Sequence, residues 1–201
     1  MQYLKPLQKR ALETEEKFLS ALDQCLALKS FSETTVDEIA KVAGLHRSAF
    51  MKRFGSKKGA LLVLHSRYCE RTNVEILRFL EGKSSWSSAL LVCKQSSVTL
   101  ERLQRESFAC NRAMHEVFME SLKTDEQTKG IFLATVKIMR KVQQHFFPEN
   151  SQSETGALAA TQLLVTINYN YVLKAMPGLP RDADQRHSLI AACMVLALKS
   201  Y

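Results

Sequence analysis

This chain is expected to be all-α, and three features of its sequence point that way. Seven glycines and four prolines in 201 residues leave few turns, so its elements must be long. Apolar residues recur at three- and four-residue steps, the period of a helix with one buried face. Apolar residues make up 46% of the chain, enough for a substantial core and too many for extended disorder. The expected organisation is a three-helix N-terminal domain over residues 1–55 and a fourth helix, about 56–80, as the joint. A larger helical bundle over 81–201 then brings the total to about nine helices.

The first helix is expected from about Leu12 to Leu28, with Phe18, Leu19, Leu22, Cys25 and Leu26 on one face. Lys29-Ser30-Phe31-Ser32-Glu33 is a short connection. Thr35 then precedes Glu38 at capping-box spacing, ahead of the stripe Val36, Ile39, Ala40 and Ala43. Gly44 ends this second helix, because glycine tolerates the left-handed backbone of a sharp helix end. Leu45 follows and can pack back between two helices. A third helix, about His46 to Phe54, turns Phe50 and Phe54 inward and Arg47, Ser48, Met51 and Lys52 outward. Gly55-Ser56 breaks the chain, and Ser56 can cap the long fourth helix. Beyond Gly82-Lys83-Ser84-Ser85 the spacing predicts helices at roughly 86–104, 106–122, 125–146, 154–175 and 183–199.

The formal net charge is +8, so an acidic partner is expected. No Asp or Glu occurs from Ile39 to Cys69, yet that interval holds Lys41, Arg47, Lys52, Arg53, Lys57, Lys58 and Arg67. Such asymmetry favours a polyanion, although charge alone fits a solvated basic face as well. The cysteines (Cys25, Cys69, Cys93, Cys110 and Cys193) are scattered and odd in number. That spacing argues against a disulfide framework and a structural zinc site, and no cofactor or metal is expected. It suits a reducing cytoplasm, the expected location. The N-terminal MQYLKPLQKR is too polar for a secretory signal. The apolar run from Leu189 to Leu198 falls well short of the roughly 20 residues a spanning helix needs, so no membrane partner is expected.

Two short helices joined by a glycine turn and an apolar residue form a helix-turn-helix pattern. The first helix braces the second, and the turn sets an angle that frees one face of the second for a DNA major groove. Arg47 and Ser48, near the start of that second helix, could reach base edges. Lys52, Arg53, Lys57 and Lys58 lie where phosphate contacts would position the domain. His46 reads equally as an N-cap residue or as a base or phosphate contact. Met51 reads as local packing or DNA contact.

The run TTVDEIAKVAGLHRSAFMKRFGSKKGAL resembles the DNA-binding domain of the tetracycline-repressor (TetR) family, as does the preceding EKFLSALDQCLALKSF. The resemblance covers about residues 13–65, with a looser one at NYVLKAMPG. It implies an all-helical homodimeric repressor that leaves its operator when the larger domain binds an effector. It also implies DNA contact by Arg47, Ser48, Met51, Lys52 and Lys57, and a phosphate contact by Thr35. Met51, Lys52, Arg53, Ala49 and Gly55 depart from the family pattern, which usually has Tyr at Met51 and often Thr at Ala49.

A sensory domain needs a pocket, and apolar linings with a few polar groups are typical of small-molecule sites. The candidates are Trp86, Cys93, Phe108, Cys110, Met114, Phe118, Phe132, Met139, Asn168 and Tyr171; the same residues at helical spacing also read as plain core. Asn168 and Asn170 are amides on an otherwise apolar helix, needing a ligand, another helix or a dimer mate as partner. Cys110 in ESFACNRAMHE reads as a redox sensor or a small buried hydrophobe. The last helix is apolar nearly all round and, with the small residues Gly156, Ala157, Ala159 and Ala160 of the preceding helix, suggests a homodimer through the last two helices. The expected function is a ligand-responsive regulator on an inverted-repeat DNA operator, released by a small-molecule effector. The alternatives are a non-specific helical nucleic-acid-binding or interaction protein and an all-α enzyme. Against the enzyme, there is no His-Glu-x-x-His, nucleophile elbow or phosphate-binding glycine loop.

Overall fold

The computed structural model describes residues 9–81, 86–118, 126–174 and 178–200. Among the described residues there are nine α-helices and no strand. The chain divides into two compact units, Met1–Cys69 with Ser107–Asp125, and Glu70–Glu106 with Glu126–Tyr201.

The first unit contains α1 (Lys9–Leu28), α2 (Val36–Ala43), α3 (Arg47–Phe54), the start of α4 (Lys57–Glu81) and α6 (Phe108–Phe118). Phe18, Leu19, Leu22 and Leu26 form the buried stripe of α1 and meet Ile39, Phe50, Leu61 and Met114. The rings of Phe18, Phe50 and Phe54 cluster, with centroids 5.3, 6.1 and 5.0 Å apart. Edge-to-face packing of this kind favours one angle between α1 and α3. The expected boundary counted α6 with the larger half. Its packing assigns it to the first unit, because Cys110, Ala113 and Met114 are buried against α1. Arg112 reinforces this, donating to the Leu26 and Lys29 carbonyls (2.5 and 2.9 Å) left open at the end of α1.

The second unit holds the rest of α4, α5 (Ala89–Glu106), α7 (Glu126–Phe146), a 3₁₀ turn (Pro148–Asn150), α8 (Thr155–Lys174) and α9 (Ala183–Ser200). Its core is built from Val92, Cys93, Met139, Val142, Ala160, Leu164, Ile190 and Met194. A buried polar cluster crosses it. Arg186 pairs with Glu101 through both oxygens at 2.9 and 3.0 Å, and its guanidinium lies 3.9 Å from the Tyr171 ring centroid. Ser97 sits 2.9 Å from His187 Nδ1 and accepts from Asn168 at 3.2 Å. Buried polar groups are tolerated when paired in this way. Among the described residues, no helix is long and apolar enough to cross a membrane, and no group of His, Cys, Asp or Glu is placed to hold a metal ion.

Candidate nucleic-acid interface

Local chemistry sets both ends of α2. The Thr35 hydroxyl accepts from the Glu38 N–H, and the Glu38 carboxylate accepts from the Thr35 N–H at 2.9 Å, a complete capping box. Lys29 also bonds Glu38. That bond, with those from Thr35, holds the Glu38 carboxyl down at about 2. At the other end Gly44 is left-handed, with φ 65°. Its N–H reaches the Lys41 carbonyl and the Leu45 N–H reaches Ala40, the bond pair of a Schellman motif. Leu45 packs against the first core, as expected.

The motif leaves α3 with two faces. Phe50 and Phe54 are buried, whereas Arg47, Ser48, Met51 and Lys52 are exposed. Gly55 ends the helix and the Ser56 hydroxyl accepts from the Gly59 N–H, starting α4. Gly59 is required there, since a Cβ would stand 2.3 Å from the Phe54 carbonyl oxygen. His46 takes the N-cap position of α3 without a side-chain capping bond, and its side chain is exposed. Thr35 is exposed too, with its hydroxyl engaged in the capping box. Arg47 pairs with Asp37 of α2 at 2.5 Å.

Lys57 is engaged within the first unit. Its ammonium donates to the Phe31 and Thr34 carbonyls, both at 2.5 Å, and lies 4.2 Å from the Phe31 ring centroid. Burial lowers its pKa despite the nearby Glu116 and Glu38 carboxylates. Its charge is thus directed into the α1–α2 connection. Glu116 of α6 serves the other polarity of the same connection, accepting from the Phe31 and Ser32 N–H groups at 3.0 and 2.9 Å. Burial opposes ionisation of Glu116, but those amides and Lys57 outweigh it and hold its carboxyl below the usual range. Arg53, counted as a phosphate candidate, instead bonds Glu15 of α1. Lys52 and Lys58 remain exposed. The roles of Glu15, Arg112 and Glu116 were not legible in sequence, since each depends on a contact with a distant segment.

In the second unit a cleft of about 420 Å³, counting its solvent-open mouth, is lined by Phe79, Leu100, Leu103, Ile138, Met139 and Leu164. Thr72, Glu75, Ser96, Thr99 and Thr135 add polar atoms. Glu75 is already paired with Arg78 and Arg102. Of the expected lining residues, this cleft includes Met139. Trp86 packs edge-on to His145 and beside Phe79. Cys93 is core, its thiol pushed up to about 12 by burial, and Phe132 is half-buried against the same core. Asn168 is bonded to Ser97 and the Leu164 carbonyl, and Tyr171 lies beneath Arg186.

The other expected lining residues lie on α6. Cys110 and Met114 are buried in the first unit's core, because α6 packs on α1. Phe108 is half-buried, its ring centroid 5.8 Å from the Arg112 guanidinium, and the Phe118 side chain lies outside the described residues. Burial, with help from Asp23, raises the Cys110 pKa, which disfavours a thiolate. Asn170 is satisfied by the Thr166 carbonyl.

Residues 18–63 match the model of bacterial regulatory proteins of the tetR family. Among solved structures, the chain resembles the transcriptional regulator FadR from Bacillus subtilis, solved in complex with stearoyl-CoA (TM-score 0.63, 15% identity, 92% of this chain and 98% of that one). It also resembles a TetR transcriptional regulator from Rhodococcus sp. RHA1 (0.57, 15%, 96% and 99%). A third similar structure is the TetR family repressor AlkX from Dietzia sp. strain DQ12-45-1b (0.52, 18%, 92% and 95%). No curated protein matches the chain in sequence. Residues 18–63 thus carry the helix-turn-helix segment of the tetR family of bacterial regulatory proteins, and the chain as a whole has a fold similar to that of these regulators.

Proposed function

We propose that this chain is a ligand-responsive transcriptional repressor and not an enzyme. It binds an inverted-repeat operator as a homodimer and leaves it when a small molecule occupies the second unit. The observation that carries the reading is the division of α3, with Phe50 and Phe54 buried and Arg47, Ser48, Met51 and Lys52 presented together. A helix held rigidly by one face with its N-terminal residues exposed is what major-groove readout requires. Arg47 and Ser48 read base edges; Lys52 and the Met51 stem approach the backbone and groove wall, and His46 and Thr35 lie at the approach to α3. The homodimer forms through α8 and α9, which keep Leu158, Leu189 and Leu196 exposed at 41, 45 and 63%. Apolar side chains this exposed on neighbouring helices suit a symmetric partner.

The effector occupies the cleft around Met139. Its apolar lining suits a largely apolar molecule, in keeping with the acyl ligand of the similar FadR structure. The effector binds better to a state whose two recognition helices are wrongly spaced for the operator, and so shifts the population away from DNA.

The test is selection of duplexes from a randomised library by the purified chain, followed by titration against salt. The expected result is enrichment of an inverted repeat, with affinity falling steeply as counterions compete. Arg47→Ala should relax base preference, and equal losses on enriched and random duplexes would remove that assignment. Binding without any enriched sequence would instead support a non-specific nucleic-acid binder. Light scattering at micromolar concentration should show twice the 22.8 kDa chain mass, and a monomer alone would overturn the dimer.

A further inference from the structure

We infer that Asp37 is a specificity-determining residue that acts through Arg47, pre-setting its guanidinium for base readout while penalising contact with DNA of any other sequence. This rests on the DNA-reading role proposed for α3. Asp37 lies in the first turn of α2 and Arg47 in the first turn of α3, on opposite sides of the Gly44 turn. Their side chains meet across it, Arg47 Nη1 donating to Asp37 Oδ2 at 2.5 Å. The two side chains are 60% and 66% exposed, so the pair adds little to stability.

Its position is the informative part. The following segment, Ile39 to Cys69, contains no carboxylate, and the neighbouring Glu38 is engaged by Lys29 and the capping box. Asp37 is therefore an anionic group beside a face otherwise fitted for a polyanion, and it opposes every phosphate that approaches without compensation.

The gain is geometric. A guanidinium offers five donors in a rigid fork on a long flexible stem. Tying one nitrogen to Asp37 fixes the plane of the fork and leaves its other edge for a bidentate partner such as the O6 and N7 of guanine. Ordering the side chain beforehand lowers the entropy lost on docking. The carboxylate also draws Arg47 away from casual phosphate contacts. Asp37 thus disfavours non-specific binding and favours the matched site, which is discrimination by both signs.

The experiment uses the full chain and the duplex that the wild-type protein enriches from a randomised library, with a scrambled duplex as reference. Asp37→Asn should lower the ratio of the two affinities about tenfold, the size of one lost base preference. It should also tighten scrambled-duplex binding about two- to threefold as one repulsive charge disappears. In an Arg47→Ala background, Asp37→Asn should leave the ratio unchanged while still tightening scrambled binding. An unchanged ratio in the Asp37→Asn single variant overturns the inference, as does an equal fall in the Arg47→Ala background. If the wild-type chain enriches no sequence at all, the proposed operator binding fails instead, a separate outcome. Thermal melting of each variant checks folding, since a role confined to the N-terminus of α2 would lower the melting temperature and leave the ratio intact.

Discussion

Arg53 of α3 and Glu15 of α1 form an ion pair, Nε to Oε2 2.8 Å, in which Glu15 is 1% exposed. Arg67 of α4 takes the other oxygen of the same carboxylate at 2.9 Å. One buried acid thus ties the far end of α3 to the two long helices beside it. Glu15→Gln would leave two guanidiniums facing a neutral group of the same shape. Its expected cost is about 1–3 kcal/mol of stability, because charged hydrogen bonds are lost and burial remains. Urea denaturation of the variant and wild type measures it, and equal midpoints would mean the pair is inert.

Lys57→Met separates a structural lysine from a DNA-contacting one. The variant loses the bonds to the Phe31 and Thr34 carbonyls and should be less stable by about 1–3 kcal/mol. The salt dependence of its DNA affinity should match that of the wild type. A phosphate contact would reveal itself as a log–log slope smaller by about 1.

His187 makes the second unit sensitive to mild acid. Burial lowers its pKa, opposed by Glu101, with Arg186 and Lys94 also lowering it and Asp184 raising it. The unfolded chain therefore takes up the proton at a higher pH than the folded one. Stability from this group is complete above the ordinary value of 6.5 and declines as pH falls through 6.5 toward the lower folded value. Melting temperature measured from pH 8 to 5 should fall below pH 6.5 in the wild type and stay flatter in His187→Asn. Parallel curves would exclude His187 as the cause.

Thiol labelling ranks the cysteines. Cys193 is half-buried, whereas Cys25, Cys69, Cys93 and Cys110 are buried. Cys25, Cys93 and Cys110 also carry raised pKa values, desolvation being the main cause. Under native conditions Cys193, which shares the Leu189 and Leu196 face of α9, should react with an aromatic disulfide reagent as the proposed dimer dissociates, ahead of the other four, which react only at the rate of unfolding. Rapid native labelling of Cys110 would restore it as a redox candidate.

The elements that sequence patterns located well are those defined by neighbours a few residues apart. Thr35 and Glu38 start α2, Gly44 and Leu45 end it, and Gly55-Ser56 separates α3 from α4. Each signal is a local hydrogen-bond or backbone requirement, so it survives without knowledge of the rest of the fold. The outward residues of α3 were legible for the same reason: Phe50 and Phe54 orient the helix, and its period places Arg47, Ser48, Met51 and Lys52 opposite.

Other features depended on which distant surface a side chain meets. Lys57 and Lys58 are adjacent in one basic run, yet one turns under the α1–α2 connection and the other stays exposed. The apolar face of α6 has the same composition as a lining for the larger unit, but it packs on α1 and leaves the cleft to residues of α4, α5, α7 and α8. Apolar spacing shows that a helix has a buried side without naming its partner. Sequence therefore specified the helices, their caps and the outward side of α3, because these arise within a turn or two of chain. Long-range packing assigned α6, Lys57, Arg53 and the cleft, because burial and ion pairing are settled by whichever element comes to lie across from them.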